Sequence, residues 1–381
     1  MRNLVFFMFL LLIISCNNDK YYKKEIIGNW EEVEKPLVQN RHVDENDTLV
    51  SLVGIRMLMA HFNYSFFTNG TYIDRNGIFT SVKGEIYSDW KQYFLGSESK
   101  YSIENKVLKI YDSKDKKYYE YQIVDLKNDT LRLTQKGEDT LYFKRKKYEI
   151  KCKDDFDKIV ISSTGCYGTC PIGDILIDKQ GTFVFDGIKY NTVEGLNTAK
   201  MNSNKFSIIL ASFQKANWKN LKDYYHANFT DSETVTVSFI KKSKIVKTIC
   251  DYGYESPLEF RWAYGPLREM YQRLELEKIK YQPANLAFFN VFKGNKWMSL
   301  NNSVGFYLKY LLMNSKISNK ECDNVYQINT LNLETNKEIH VISDGQLFKF
   351  ELEKGKYITF DLGYNFFKFN NLENGFISRT N

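Results

Sequence analysis

The chain lacks the patterns by which most enzymes announce themselves. Only four histidines occur in 381 residues, at positions 42, 61, 226 and 340. They are scattered along the chain. There is no Gly-x-Ser-x-Gly, no His-Glu-x-x-His, no Walker loop and no Gly-x-Gly-x-x-Gly. Ser97 to Lys100 and Ser212 to Lys215 fit Ser-x-x-Lys, but the partner motifs are missing and both residue types are abundant. No internal repeat or low-complexity tract is present. Beyond residue 14 no apolar run approaches the roughly 20 residues of a spanning helix. Hydrophobic residues make up 43% and aromatics 16% of the chain, which excludes a disordered protein. No catalytic residue, metal site or cofactor is expected.

What is present begins at the N-terminus. Arg2 is the only charge before Asp19, and Leu4 to Ile14 is an unbroken apolar run followed by Ser15 and Cys16. A short charged region, an apolar core of about 7–15 residues and a small residue at the cut make a signal peptide. The expected segments are a signal peptide over 1–15 and a polar tether over 16–24. Ile13-Ile14-Ser15-Cys16 resembles the bacterial lipobox. That resemblance implies cleavage before Cys16 and a diacylglycerol on its thiol; the rival reading is an ordinary secretory signal with an accidental cysteine. Asn17 follows where enteric inner-membrane lipoproteins carry Asp. Asp19-Lys20 resembles the short charged export signals of Bacteroidota surface lipoproteins. A composition rich in Lys, Asn, Ile and Tyr agrees with such a low-GC source. The expected location is the outer membrane, on its periplasmic or cell-surface face.

The formal net charge is +7, or +6 once Arg2 is removed. A basic balance can mean nucleic acid, but an exported lipoprotein points instead to a solvated surface near anionic lipid or polysaccharide. The densest basic cluster, Lys144-Arg145-Lys146-Lys147, ends an alternating strand pattern.

The remaining 366 residues suggest two to four domains at roughly 100–200 residues each. The fold class expected is mainly β with α+β. From 25 to 148 the pattern is period-two strands: Leu108 and Ile110, Tyr121 and Ile123, Leu131 and Leu133, Leu141 and Phe143. Phe66-Phe67-Thr68-Asn69-Gly70-Thr71-Tyr72 reads as a hairpin, with Asn69-Gly70 in a type I′ turn. Strands at 8–12-residue spacing argue for a meander closing into a barrel or sandwich. With its Gly28-Asn29-Trp30 opening, this stretch resembles the lipocalin-like domains of bacterial lipoproteins. The resemblance implies that Gly28 and Trp30 close one end of the barrel, with Arg145 covering the ring. The Thr-Asp-Tyr motif of true lipocalins is absent, and an eight-stranded barrel can be filled by its own side chains. A small apolar ligand is one expected occupant.

A second unit, 152–278, has an apolar strand from Lys158 to Ser162, strands at 173–177 and 181–185, and a helix through Phe206, Ile209, Leu210 and Phe213. A hairpin over 234–249 and a helix opening at Pro257 follow. This α+β order is similar to a bacterial domain family of unknown function. The residues carrying that likeness are Cys166-Tyr167-Gly168-Thr169-Cys170-Pro171, Tyr224-Tyr225, Thr230-Asp231 and Pro257-Leu258. Residues 281–381 read as a third, β-rich segment with a short helix near Val304 to Leu312.

The cysteines are 16, 152, 166, 170, 250 and 322. With Cys16 lipidated five remain, so at least one thiol has no partner within the chain. Cys166 and Cys170 lie four apart among Gly165, Gly168 and Pro171. A disulfide between them requires a tight turn, for Cα atoms must approach to roughly 4.4–6.8 Å. Three other readings stay open: a metal site with His226 as third ligand, a redox pair, or free packed thiols. The functional expectation is a membrane-anchored extracytoplasmic lipoprotein with a non-catalytic binding or scaffolding role, taking an envelope protein or a small apolar ligand. The alternative is a thiol-dependent enzyme or redox protein acting through Cys166 and Cys170.

Overall fold

A computed structural model describes residues 19–33, 62–82, 91–150, 153–280, 286–332 and 337–378. Cys16, Cys152 and residues 1–15, expected from the sequence to be a signal peptide, lie outside these residues. The chain divides into two compact units, 1–81 with 92–149 and 82–91 with 150–381.

The first unit is a closed antiparallel barrel. Its strands are β1 Gly28–Val33, β2 Asn63–Phe66, β3 Thr71–Val82, β4 Lys91–Glu104, β5 Val107–Asp112, β6 Lys117–Lys127, β7 Thr130–Thr134 and β8 Leu141–Lys146. β1 pairs with both β2 and β8, so no edge is left unpaired. Alternate residues turn inward, and Trp30, Ile103, Leu108, Leu131 and Phe143 are fully buried there. A helical stretch at 19–25 precedes the barrel.

The expected type I′ turn at Asn69-Gly70 is corrected. Only Gly70 has a positive φ, +79°. Its N–H bonds to the Phe67 carbonyl at 3.3 Å, and Asn69 Oδ1 accepts from the Thr71 N–H at 3.1 Å. The loop is therefore longer than a two-residue hairpin, with Gly70 in the left-handed position that follows a type I turn. Type I′ geometry occurs instead at Asn105-Lys106, Asn128-Asp129 and Lys242-Ser243, where both residues have positive φ. None of these carries glycine, the residue that marks such turns in a sequence.

In the second unit the described residues form two sheets and four α-helices that share their cores, besides three short 3-10 helices. The first sheet has the order β13-β15-β14-β9-β10-β11-β12-β16. Its strands are β9 Lys158–Ser163, β10 Ile172–Asp178, β11 Thr182–Lys189, β12 Gly195–Lys200, β13 Tyr224–His226, β14 Thr234–Lys241, β15 Lys244–Tyr252 and β16 Glu277–Lys278. β13 is parallel to β15, and the other pairings are antiparallel. Ile159, Ile161, Ile175, Phe183 and Phe239 pack under helices α1 (Asn204–Lys215) and α2 (Leu258–Arg268). The opposite face carries Val160, Leu176, Val184, Leu196 and Ile240. Both faces being covered explains why Ile159-Val160-Ile161 is a continuous apolar run rather than an alternation.

The second face lies against α3 (Asn302–Met313) and a second eight-stranded sheet. That sheet has the order β19-β23-β22-β21-β20-β17-β18-β24. Its strands are β17 Leu286–Lys293, β18 Lys296–Ser299, β19 Lys316–Ile317, β20 Tyr326–Asn332, β21 Lys337–Ser343, β22 Leu347–Glu353, β23 Lys356–Asp361 and β24 Ile377–Ser378. The short helix α4, Phe366–Phe369, caps it. α3 touches β9, β10 and β14 on one side and β17 on the other. Residues 303–309 of α3 are all buried, as a helix between two layers must be. The segment 281–381, read from sequence as a separate module, therefore shares one core with 152–278.

Candidate functional site

Several loops gather at one end of the first sheet of the second unit. The register sets this: Ser163 at the end of β9 faces Gly173 at the start of β10 and Val235 at the start of β14. The 164–171 loop is sewn to its neighbour. The Thr164 N–H bonds to the Thr234 carbonyl at 3.0 Å, and Thr234 N–H returns to Thr164 Oγ1 at 2.9 Å. Tyr167 N–H bonds to the Asp231 carbonyl at 3.0 Å. On the other side Asn191 Nδ2 donates to the Ile172 carbonyl at 2.6 Å.

Within this loop Cys166 and Cys170 form a disulfide, with Cα atoms 5.7 Å apart. Both thiols are thereby used up, so a metal clip or thiolate nucleophile at these positions is excluded in this oxidised form. Gly168, with φ +154°, gives the ring the turn that the spacing demands. Tyr167 stands out from it, 88% exposed. The neighbouring loops each present one further apolar side chain, Val193 and Phe229.

Beneath the loops the support is polar and buried. Arg268 of α2 donates to Glu233 through two nitrogens at 2.8 and 2.6 Å, and Tyr254 O–H also reaches Glu233. A forked pair of this kind fixes direction as well as charge. Asp251 accepts from Ser256 N–H at 3.0 Å and from Tyr264 O–H at 2.9 Å. Burial, and then the Asp251 charge, raises the Tyr264 hydroxyl well above its usual range. His226 stacks on Tyr252 at 4.7 Å between ring centroids. Cys250 and Cys322 are both half-buried, and burial raises each thiol. That opposes thiolate formation and reactivity. Among the described residues, no three His, Cys, Asp or Glu side chains come together as metal ligands.

The barrel contains a second group of polar residues. At one end the Trp30 ring lies under the Arg145 guanidinium, 4.4 Å from the ring centroid, and its Nε1 donates to the Ile26 carbonyl at 2.7 Å. Arg145 also donates to the carbonyls of Ile27 and Glu25. Gly28 has φ +128°, and a Cβ there would meet Arg145 Nη1 at 2.8 Å. A side chain at position 28 would displace the cover. Further along the interior are Asp74, Tyr64, Tyr72 and Tyr121. Sequence reasoning missed them as a group, although the alternation through Phe66 and Tyr72 already places Asp74 on the inward side.

Residues 157–271 match a family model described as Domain of unknown function (DUF6438). The match contains the disulfide loop, Tyr224-Tyr225, Thr230-Asp231 and the start of α2 at Pro257-Leu258. No curated protein and no solved structure matches the chain.

Proposed function

We propose that this chain is a lipid-anchored, extracytoplasmic binding or scaffolding protein of the outer membrane, with a lipocalin-like barrel next to its anchor and no catalysis of its own. The lipobox-like Ile13-Ile14-Ser15-Cys16 supports the anchor. The Cys166–Cys170 disulfide supports an oxidising compartment, since such bonds persist outside the cytosol. The observation that carries the binding role is the exposed Tyr167 on a covalently closed, hydrogen-bonded loop. An amphipathic ring held rigid makes a contact at little entropic cost, and tyrosine is enriched at interfaces for that reason. The partner class that fits is another envelope protein.

Growth with labelled palmitate tests the anchor. Incorporation into the membrane fraction, abolished by Cys16→Ala, is the expected result. Unlabelled protein in the cytosolic fraction would end this reading. A photo-crosslinking residue in place of Tyr167 should give one discrete adduct in cells, and none when it replaces an exposed residue of β15 such as Val246.

A further inference from the structure

The end of the barrel that Gly28 enters differs from the rest of that unit in its charge. The strand order brings three turns to this end, 67–70, 105–106 and 128–129, together with the last residues of β8. The helical stretch 19–25 is fastened to it. Asn105 N–H donates to Asp19 Oδ2 at 3.1 Å, and Tyr21 O–H donates to the Leu126 carbonyl at 3.0 Å. Tyr22 and Ile26, one turn apart, pack on the barrel core. Lys20, Lys23 and Lys24 follow the i, i+3, i+4 spacing of one helix face, and all three are exposed. Lys106 joins them from the neighbouring turn, its Nζ 5.8 Å from the Tyr22 ring centroid. Two aromatic rings stand out among these lysines, Tyr21 at 47% and Phe67 at 41% exposure.

The carboxylates of this end are already engaged. Glu104 pairs with Lys109, Asp125 with Arg132, and Asp129 with both Arg145 and Lys147. Glu25 lies 4.0 Å from Arg145. Lys20, Lys23, Lys24 and Lys106 make no ion pair among the described residues. The chain length before them fixes their distance from the expected anchor. Asp19 is three residues beyond Cys16, so the two Cα atoms are at most about 11 Å apart. That is close to the Debye length of about 8–10 Å at physiological salt, within which charges still act on each other.

We propose that this end of the barrel is a contact surface for an anionic phospholipid bilayer, with Lys20, Lys23, Lys24 and Lys106 over the headgroup phosphates and Tyr21 and Phe67 in the interfacial layer. Lysines beside an anionic leaflet are attracted to it, and amphipathic rings settle at headgroup level. A soluble polyanion would meet the same lysines but would leave both rings in water. The acyl chains hold the protein at the bilayer; the lysines decide which face of the barrel meets it. The proposal rests on the anchored reading above for where this end sits, but the surface itself is tested without the lipid.

The test uses residues 17–381, which include every described residue and no acylation site, in sedimentation with vesicles. One set is phosphatidylcholine alone and the other contains about 30% phosphatidylglycerol. Binding to the anionic vesicles at least tenfold tighter than to the neutral ones, and lost between about 0.1 and 0.5 M NaCl, is the expected result. A lysine near an anionic surface is worth roughly fivefold in affinity. The triple change Lys20→Gln, Lys23→Gln and Lys24→Gln should therefore weaken binding at least tenfold with an unchanged thermal midpoint. Lys114→Gln with Lys116→Gln, on the hairpin at the opposite end, should leave it unchanged. Bromine-labelled acyl chains should quench the added fluorescence of Phe67→Trp and not that of Tyr118→Trp, also at the opposite end. Equal binding to both vesicles, no binding to either, indifference to the triple change, or quenching at position 118 instead of 67 would each overturn the proposal. Displacement by free glycerol phosphate at the same phosphate concentration would overturn it too, by showing a phosphate site in place of a surface. Vesicle binding as expected with a failed palmitate experiment would remove the anchor alone, and palmitate labelling without vesicle binding would remove this surface alone.

Discussion

Single residues at the heart of the second unit carry charges that no motif in the chain marks out. Asp174 and Asp186 are directly opposed across β10 and β11. Lys309 of α3, buried, reaches Asp186 Oδ2 at 2.6 Å. One cation thus serves two carboxylates. Burial first, and then the Asp186 charge, pushes the Asp174 carboxyl up to about 7. The sign of the pH effect follows. A carboxyl whose folded value lies above the unfolded 3.8 penalises the folded state only when ionised. The stability it leaves intact is present in full below about 3.8 and is lost as the pH climbs through 7. Asp174→Asn should therefore be more stable than the native chain at pH 8, by up to about 4 kcal/mol, since each pH unit between the two values costs the folded state about 1.36 kcal/mol. The difference should shrink by half or more at pH 5. Urea unfolding at the two pH values reads it, and a native chain equally stable relative to Asp174→Asn at both would refute the assignment. Burial raises the Asp74 carboxyl to about 7 as well, so the comparison between the two chains, rather than the native profile alone, is the measurement.

Elements follow from sequence where one physical cause dominates, and fail to where two compete. The α1 helix was legible because Phe206, Ile209 and Phe213 repeat at helical spacing and all face the core. The disulfide was legible because only a tight turn can close Cys166 onto Cys170, and glycines and a proline surround them. The type I′ turns were not, because none of the three carries the glycine that marks such a turn: Asn105, Asn128 and Asp129 tolerate positive φ, while Lys242 and Ser243 adopt it at a cost. At Lys242-Ser243 the pairing of Lys241 with Lys244 enforces φ of 50° and 64° on two ordinary residues. The sheet holds this strained turn in place, because β14 is buried between β9 and β15. Replacing the pair with Asn-Gly should relieve the strain. Lys242→Asn with Ser243→Gly is expected to raise stability by about 0.5–1 kcal/mol, the usual gain when a turn residue comes to suit its backbone. Tyr307 O–H bonds to the Ser243 carbonyl, a backbone atom, so that contact survives the change. A lowered thermal midpoint would show that the side chains, rather than the backbone, decide this turn.

At the scale of the whole chain the least legible feature was the sharing of one core by segments far apart in sequence. A reading of 158–162 as one strand among several says nothing about what covers its second face. The continuous run Ile159-Val160-Ile161 was the available signal, for a strand wet on one side alternates and this one does not. Its odd members meet α1 and α2, while Val160 joins Leu176, Val184 and Ile240 under α3. α3 in turn is held by more than apolar contact. Ser303 N–H bonds to Thr236 Oγ1 at 3.1 Å, Ser238 and Ser303 hydroxyls meet at 2.8 Å, and Lys309 pairs with Asp186. These polar links are the part of the layer that sets register, since carbon alone would tolerate a slip. The matched family segment, 157–271, ends before α3 begins, so its sheet is completed here by residues outside the match. A chain ending at residue 280 would leave Val160, Leu176, Val184 and Ile240 facing water and Asp186 without its lysine. Each buried aliphatic side chain so exposed forfeits about 1.5–3 kcal/mol, and the orphaned carboxylate adds to the loss. That rivals the whole stability of a typical domain, about 5–15 kcal/mol. The truncated chain should accordingly be insoluble, or bind a hydrophobic dye and show no cooperative unfolding of its first sheet, while the barrel in the same chain still melts cooperatively. A truncated chain whose first sheet unfolds with the full chain's midpoint would show that the C-terminal sheet is an accessory rather than half of the core.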